Sequence, residues 1–222
     1  MDHDGSSMAM TDWRACEQRL AEGIDALGVD VTAAAQAQLI AYLRELSTWN
    51  ATYNLTAVRD PLSMVTRHLL DSLSVLDFVT GASVADIGTG PGLPGLVIAI
   101  ARPRMALTLV ESNRKKAAFL RHVRRRLELE NVTVVQERVE AVESTDKFDT
   151  VICRAFAAAG DCARLAGHLV APGGRFLLMK GRDPAEELAD LPLDFRAVDT
   201  IALRVPGLEA DRHLAILEPG LI

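Results

Sequence analysis

The stretch Ser83-Val-Ala-Asp-Ile-Gly-Thr-Gly-Pro-Gly-Leu-Pro-Gly95 decides the fold. It opens as a short apolar run reaching an acid, Asp86, which is the pattern of a buried strand arriving at the edge of a sheet. Four glycines then fall within eight residues, at 88, 90, 92 and 95. Without a Cβ, such a backbone turns sharply at positive φ and comes close to a ligand. The next apolar segment, Leu96 to Ala101, reads as a helix whose free N–H groups and positive dipole end face the same ligand. Strand, glycine turn and helix together describe a site for a nucleotide-type cofactor.

Two cofactors compete for this loop. From Gly90 onward, Gly90, Gly92 and Gly95 meet the G-x-G-x-x-G spacing of dinucleotide binders, a weak signal alone. From Asp86 onward the pattern is Asp-x-Gly-x-Gly-x-Gly, the form typical of S-adenosyl-L-methionine (AdoMet) sites. There the acid orders the loop and faces the amino-acid end of the cofactor. A second apolar run, Ala106 to Val110, ends in Glu111, 23 positions after Gly88, right for a carboxylate accepting both ribose hydroxyls.

From Ser83 onward, strand and helix patterns alternate, which predicts a doubly wound α/β sheet. Strands are expected near 83–87, 106–110, 132–136, 149–153 and 175–180, with helices near 94–102, 113–129, 157–170 and 184–190. Two late strands, near 195–203 and 213–218, follow one another without a helix and so pair antiparallel. Seven strands with the last inserted antiparallel beside the fifth is the class I AdoMet-methyltransferase (Rossmann-like) sheet. A dinucleotide enzyme would need a further substrate domain, for which the 222 residues leave no room.

Ahead of the sheet the chain reads as a helical N-terminal extension over 11–80, preceded by a disordered tail at 1–10, with the methyltransferase domain at 81–222. Helices are predicted from Thr11 or Asp12 to Leu27, from Thr32 to Thr48, and over 61–79 behind the Asp60-Pro61 start signal. Trp49 to Ala57 is rich in turn formers and aromatics. Arg67 and Asp71, four apart in the third helix, are placed to pair on one face.

Composition bounds the function. A chain with 49% hydrophobic and 24% charged residues is ordinary for a globular protein. Three cysteines without metal-ligand spacing point to a reduced, cytoplasmic, metal-free protein. Neither a signal peptide nor a membrane span is expected. The net charge of −6 is uneven: −5 over 1–58, +6 over 59–126 and −7 over 127–222. The glycine loop therefore sits in the one basic third, where a polyanion can dock.

The motifs Asn54-Leu-Thr-Ala-Val-Arg-Asp-Pro61, Arg67-His-Leu-Leu-Asp-Ser72, Asp86 to Gly95, Arg154-Ala-Phe156 and Lys180-Gly181 resemble the bacterial 16S ribosomal RNA guanine-N7 methyltransferase (glucose-inhibited division protein B) family. The resemblance covers the chain from about residue 40 onward. It implies AdoMet-dependent methylation of one guanine, at about position 527 in the 530 loop, an RNA loop of the kind proteins read. It puts Gly88 and Leu93 in the cofactor loop, beside Asp86 and Gly90 of the same pattern as further cofactor candidates, Glu111 on the ribose, and Val139 and Glu140 beside the adenine. Departures are mild: Glu111 stands where many members have Asp, and Cys153 where Ser is common. The partner implied is 16S rRNA or the small ribosomal subunit, with the protein expected as a monomer.

Arg154, at the end of the fourth strand, is expected at the cofactor carboxylate or a nearby RNA phosphate, with an internal salt bridge as the alternative. The run Arg114 to Arg126 carries seven positive charges and no acid, and Lys115 and Lys116 lie nearest the cofactor edge, placed for phosphate contact. Arg67 and His68 are further RNA candidates, with a packing role set against His68. Cys153 reads as a small buried residue and not a nucleophile. Two other functions stay open: methylation of another RNA or a small molecule, and a non-catalytic nucleotide-binding protein associated with RNA. Binding of NAD against AdoMet separates off a dehydrogenase.

Overall fold

The computed structural model describes residues 12–143 and 147–220. The tail expected at 1–10 lies outside the described residues. The chain begins with α1 (Trp13–Leu27), whose N-cap Asp12 accepts from the amides of Arg14 and Ala15 and which Gly28 ends at φ 70°. Thr32 caps α2 (Ala33–Tyr53), and the Asp60 side chain caps α3 (Pro61–Met64) through the amide of Ser63.

The single helix expected over 61–79 is instead broken. After α3 comes a π-helical turn (Val65–Leu70), then α4 (Asp71–Leu73) and a 3₁₀ turn (Leu76–Phe78). The π turn inserts extra backbone per turn, so spacing by four no longer marks one face. Arg67 consequently stays exposed while Asp71 turns inward, and the predicted pair between them does not form. A second difference is the length of α2, which runs through the aromatic stretch to Tyr53 and stops at Asn54, φ 51°.

The sheet follows: β1 (Ser83–Ile87), α5 (Gly95–Ala101), β2 (Ala106–Val110), α6 (Arg114–Arg126), β3 (Val132–Val135), β4 (Phe148–Arg154), α7 (Ala159–Ala166), β5 (Val170–Lys180), α8 (Ala185–Leu188), β6 (Phe195–Ala202) and β7 (His213–Pro219). Strand order is β3-β2-β1-β4-β5-β7-β6. The first five strands are parallel, and β7 runs antiparallel between β5 and β6. Alternate residues of each strand go to opposite faces. Val84, Leu107, Ile152, Leu177 and Leu214 join α1 to α6 in one core. Ala85, Val110, Val151, Phe176 and Ala215 join α7 in the other. The N-terminal helices thus share a core with the sheet. Leu39, Leu43 and Leu46 of α2 are fully buried in it, each stabilising by about 1.5–3 kcal/mol.

Parallel strands deliver their carboxyl ends to one edge, so Ile87, Val110, Arg154 and Lys180 arrive together there.

Candidate active site

The glycine loop is pinned from three sides. Asp86, wholly buried, accepts at Oδ2 from the Thr89 hydroxyl and, at 2.7 Å, from the amide of Gly95. The Thr89 amide donates to the carbonyl of Val110 at 3.2 Å. From α2, the buried Tyr42 hydroxyl donates to the carbonyl of Pro91 at 2.9 Å. Burial pushes the Asp86 carboxyl up to about 7, opposed by its two hydrogen bonds and by Arg154.

Gly88 and Gly90 sit at φ 62° and 60°, where a side chain is strained. A Cβ at Gly88 would also meet the Phe156 ring at 2.4 Å, whereas one at Gly90 would find only the Gly88 carbonyl and Lys116 Nζ, each at 4.0 Å. Glu111 closes the end of β2. Its Oε2 accepts from the Gly90 amide at 2.9 Å and its Oε1 from the Asn113 amide at 2.7 Å. A carboxylate has about four acceptor sites, so each oxygen keeps capacity for a ribose hydroxyl. The buried Asp86 Oδ1, without a hydrogen-bond partner among the described residues, and the open space at Gly90 fit an AdoMet-like ligand. Val139 is buried in the cluster that holds Ile87 and Val110, and Glu140 beside it is exposed. Leu93, expected in the cofactor loop, is 2% exposed and packs with the core cluster that holds Leu96 and Leu120.

Beside the loop lies a cleft of about 290 Å³ lined by Asp71, Arg154, Ala155, Met179, Gly181 and Arg212 among others. Asp71, 1% exposed, accepts from Arg154 Nη1 at 2.9 Å and from Arg212 Nε at 2.7 Å. Arg154 also donates to the carbonyl of Arg67 at 3.2 Å. Arg154 therefore makes the internal ion pair, and Arg67 contributes a backbone oxygen to it. Two guanidiniums on one carboxylate leave the cleft with an excess of positive charge.

After Arg154 the chain turns through Ala155 at φ 50°, a conformation that costs a non-glycine residue of order 1–3 kcal/mol. That turn carries Phe156 back over Gly88. Lys180 braces it, donating to the carbonyl of Ala157 at 2.7 Å and to Glu187 at 2.6 Å.

His68 is 5% exposed, and its Nε2 lies 2.9 Å from the Thr56 hydroxyl. Burial, with Arg154 nearby, lowers its pKa to about 4. It is a neutral packing residue here, with no surface to offer RNA. Cys153 is likewise buried, its Sγ 3.7 Å from that of Cys162, and that contact together with burial raises its pKa. This agrees with a structural thiol and not a nucleophile.

On α6, Asn113 caps the helix by accepting from the amides of Lys115 and Lys116. Ala117, Phe119, Leu120 and Val123 face inward. Part of the basic run is spent internally, with Arg126 on Glu45 at 3.6 Å and Arg121 on Gln136 at 3.0 Å. Lys115 is exposed and Lys116 half-buried, with no ion pair among the described residues. No group of three His, Cys, Asp or Glu among the described residues could hold a metal ion, and no described helix is long and apolar enough to cross a membrane.

Sequence patterns had not pointed to Tyr42 or Arg212, and had set Asp71 against the wrong arginine.

A sequence family described as rRNA small subunit methyltransferase G matches residues 35–215. The ribosomal RNA small subunit methyltransferase G of Nitrosospira multiformis is 49% identical over 207 residues, covering 90% of this chain and 96% of that protein. The protein of the same name from Escherichia fergusonii is 45% identical over 195 residues, covering 88% and 94%. Among solved structures, the glycopeptide N-methyltransferase MtfA complexed with S-adenosyl-L-homocysteine superposes with a TM-score of 0.60 at 12% identity, covering 69% of this chain and 87% of that one. TrmN from Thermus thermophilus gives 0.55 at 19% identity, covering 70% and 53%. At those identities the likeness concerns the fold, an AdoMet-methyltransferase sheet. The matched family spans the glycine loop, Glu111, Arg154 and Arg212 alike, and this chain belongs to it: the rRNA small subunit methyltransferase G family.

Proposed function

We propose that the protein transfers the methyl group of AdoMet to N7 of one guanine in the 530 loop of 16S rRNA, at about position 527, an unpaired region of the kind RNA-reading proteins select. The observation that carries this is the adjacency of two sites on one sheet edge. One is the glycine loop closed by Glu111, and the other is the cationic cleft of Arg154 and Arg212. Family membership supports rRNA as the substrate.

Asp86, Gly88, Gly90 and Glu111 would hold the cofactor, with Val139 and Glu140 toward the adenine. AdoMet supplies, when bound, a methyl activated by a sulfonium. Guanine N7 carries an unprotonated lone pair in the ring plane, so no side chain need remove a proton first. The task of the protein is then alignment, bringing N7 to about 3–3.5 Å from the methyl and in line with it. The planar guanidinium forks of Arg154 and Arg212 suit the phosphates flanking the base. Phe156, held over Gly88 by the Ala155 turn, closes that side of the crevice against water.

Tritiated-methyl transfer to 16S rRNA and to small subunits, with the modified nucleoside identified by mass, tests the proposal. 7-Methylguanosine at one site is expected. Labelling of another nucleoside, or none, would overturn it, and tighter calorimetric binding of NAD than of AdoMet would return the dehydrogenase reading.

A further inference from the structure

The end of α2 presents an aromatic pair of which Trp49 packs against the core and Tyr53 stands outside it. Trp49 is half-buried, its ring 5.5 Å from Phe119 and 5.0 Å from His122 of α6. One helical turn later, Tyr53 lies 5.3 Å from Trp49 and is 43% exposed. The large hydrophobic side chains exposed among the described residues are Tyr53, Leu193 and Val198, the last two near or on β6 at the far end of the sheet. Single exposed apolar residues are common and by themselves mean nothing. What sets Tyr53 apart is its company.

Lys115 Nζ stands 6.0 Å from the Tyr53 ring centroid. The next residue, Lys116, has its Nζ 4.0 Å from the place a Cβ of Gly90 would occupy. The first turn of α6 thus sets one ammonium by the aromatic ring and the next toward the glycine loop. The platform is also rigid. Trp49 backs the ring, and the helix stops sharply at Asn54, whose Oδ1 accepts from Arg59 Nη2 at 2.8 Å. The acid that reaches this aromatic cluster, Glu45, is taken up by His122 at 2.7 Å and Arg126 at 3.6 Å. A flat ring with cations beside it matches an unpaired nucleotide, the base on the ring and the phosphate on the ammonium.

We propose that the exposed face of Tyr53 stacks an unpaired base of the substrate RNA near the target guanine, with Lys115 on that nucleotide's phosphate. This deepens the proposed function and rests on its RNA substrate.

The test measures KM and kcat for 16S rRNA with the full chain, alongside calorimetric affinity for S-adenosylhomocysteine. Base–aromatic stacking of about 1–3 kcal/mol corresponds to a rise in KM of about 5- to 150-fold for Tyr53→Ala. Its kcat, its affinity for S-adenosylhomocysteine and the salt slope of RNA binding are expected to match the parent. Tyr53→Phe, which keeps the ring, is expected to restore the parent KM. Lys115→Ala is expected instead to make the salt slope shallower by about 0.7–0.9, one phosphate contact. A Tyr53→Ala KM within twofold of the parent overturns the platform, as does a Tyr53→Phe KM as high as that of Tyr53→Ala. A parent that methylates no RNA overturns the function itself, which is a separate result.

Discussion

Arg154 at the end of β4 holds Asp71, 83 residues earlier, at 2.9 Å, and so ties the helical segment to the carboxyl edge of the sheet. Asp71 is 1% exposed, and Arg212 takes its other oxygen. Removing one partner of a buried pair leaves a charge uncompensated, at a cost of about 3–5 kcal/mol. Asp71→Asn is therefore expected to lower the melting temperature and to cut methyl transfer at least tenfold, since both arginines lose their common anchor. Affinity for S-adenosylhomocysteine, read by calorimetry, should change far less. An active Asp71→Asn enzyme would remove the pair from the site.

Glu111 accepts from two backbone amides and faces the proposed ribose position. Hydrogen bonds to a charged group contribute about 1.5–3 kcal/mol, so Glu111→Ala should weaken S-adenosylhomocysteine binding by about 10- to 100-fold. Titration calorimetry at fixed pH decides it, and an unchanged affinity would place the ribose elsewhere.

The pH dependence of Asp86 follows from its burial. Its pKa is raised from 3.8 to about 7, so the folded protein holds a proton that the unfolded chain releases. Stability contributed by this group is full below about pH 4 and is lost as pH rises to about 7, by an amount of the order of 4 kcal/mol. Asp86→Asn should remove that slope, melting relatively higher than the parent at pH 8 than at pH 5. The same variant should bind S-adenosylhomocysteine at least tenfold more weakly, because an amide nitrogen must then replace either the oxygen that accepts from Thr89 and Gly95 or the unpartnered Oδ1. Melts across pH 4–8 check the first outcome and calorimetry the second.

His68 gives the opposite slope. Its pKa falls from 6.5 to about 4, so the unfolded chain takes up the proton first as pH drops. Stability from this group is present above pH 6.5 and is lost on acidification toward pH 4, by the order of 3 kcal/mol. His68→Gln, which can still hydrogen-bond Thr56, should lose less stability than the parent between those values. Where the two windows overlap, the Asp86 and His68 slopes oppose each other, so each variant uncovers the other residue's contribution. Parallel melting curves for parent and His68→Gln between pH 4 and 6.5 would contradict the assignment.

The loop and its carboxylates were legible because their chemistry is local. Asp86, Thr89 and Gly95 are near neighbours in the chain, and Gly90 reaches Glu111 across only 21 positions. The antiparallel pairing of β6 with β7 was legible as well, since two strands in series without a helix pair that way. The place of β7 beside β5 was expected from the sheet type and not from the pairing. The cleft was not legible. Asp71 meets Arg212 across 141 positions, and no periodicity reports a contact of that span. A helical count by four also pointed Asp71 at Arg67, because a π turn leaves no mark in the pattern of apolar residues. Tyr42 was passed over for a similar reason. Its hydroxyl finds Pro91, 49 positions on, and nothing beside it in α2 announces that a tyrosine rather than another apolar residue is required.

The place of β7 between β5 and β6 has a consequence for how the chain is made. A growing polypeptide that has not yet supplied His213–Pro219 has an unfilled seam: β5 is left with a bare edge and β6 has no neighbour to join. Arg212 enters at the foot of β7, so the second clasp on Asp71 forms only after the other six strands have been made. Completion of the Asp71 cluster thus waits on β7, and a chain cut before 212 should emerge adhesive and inert.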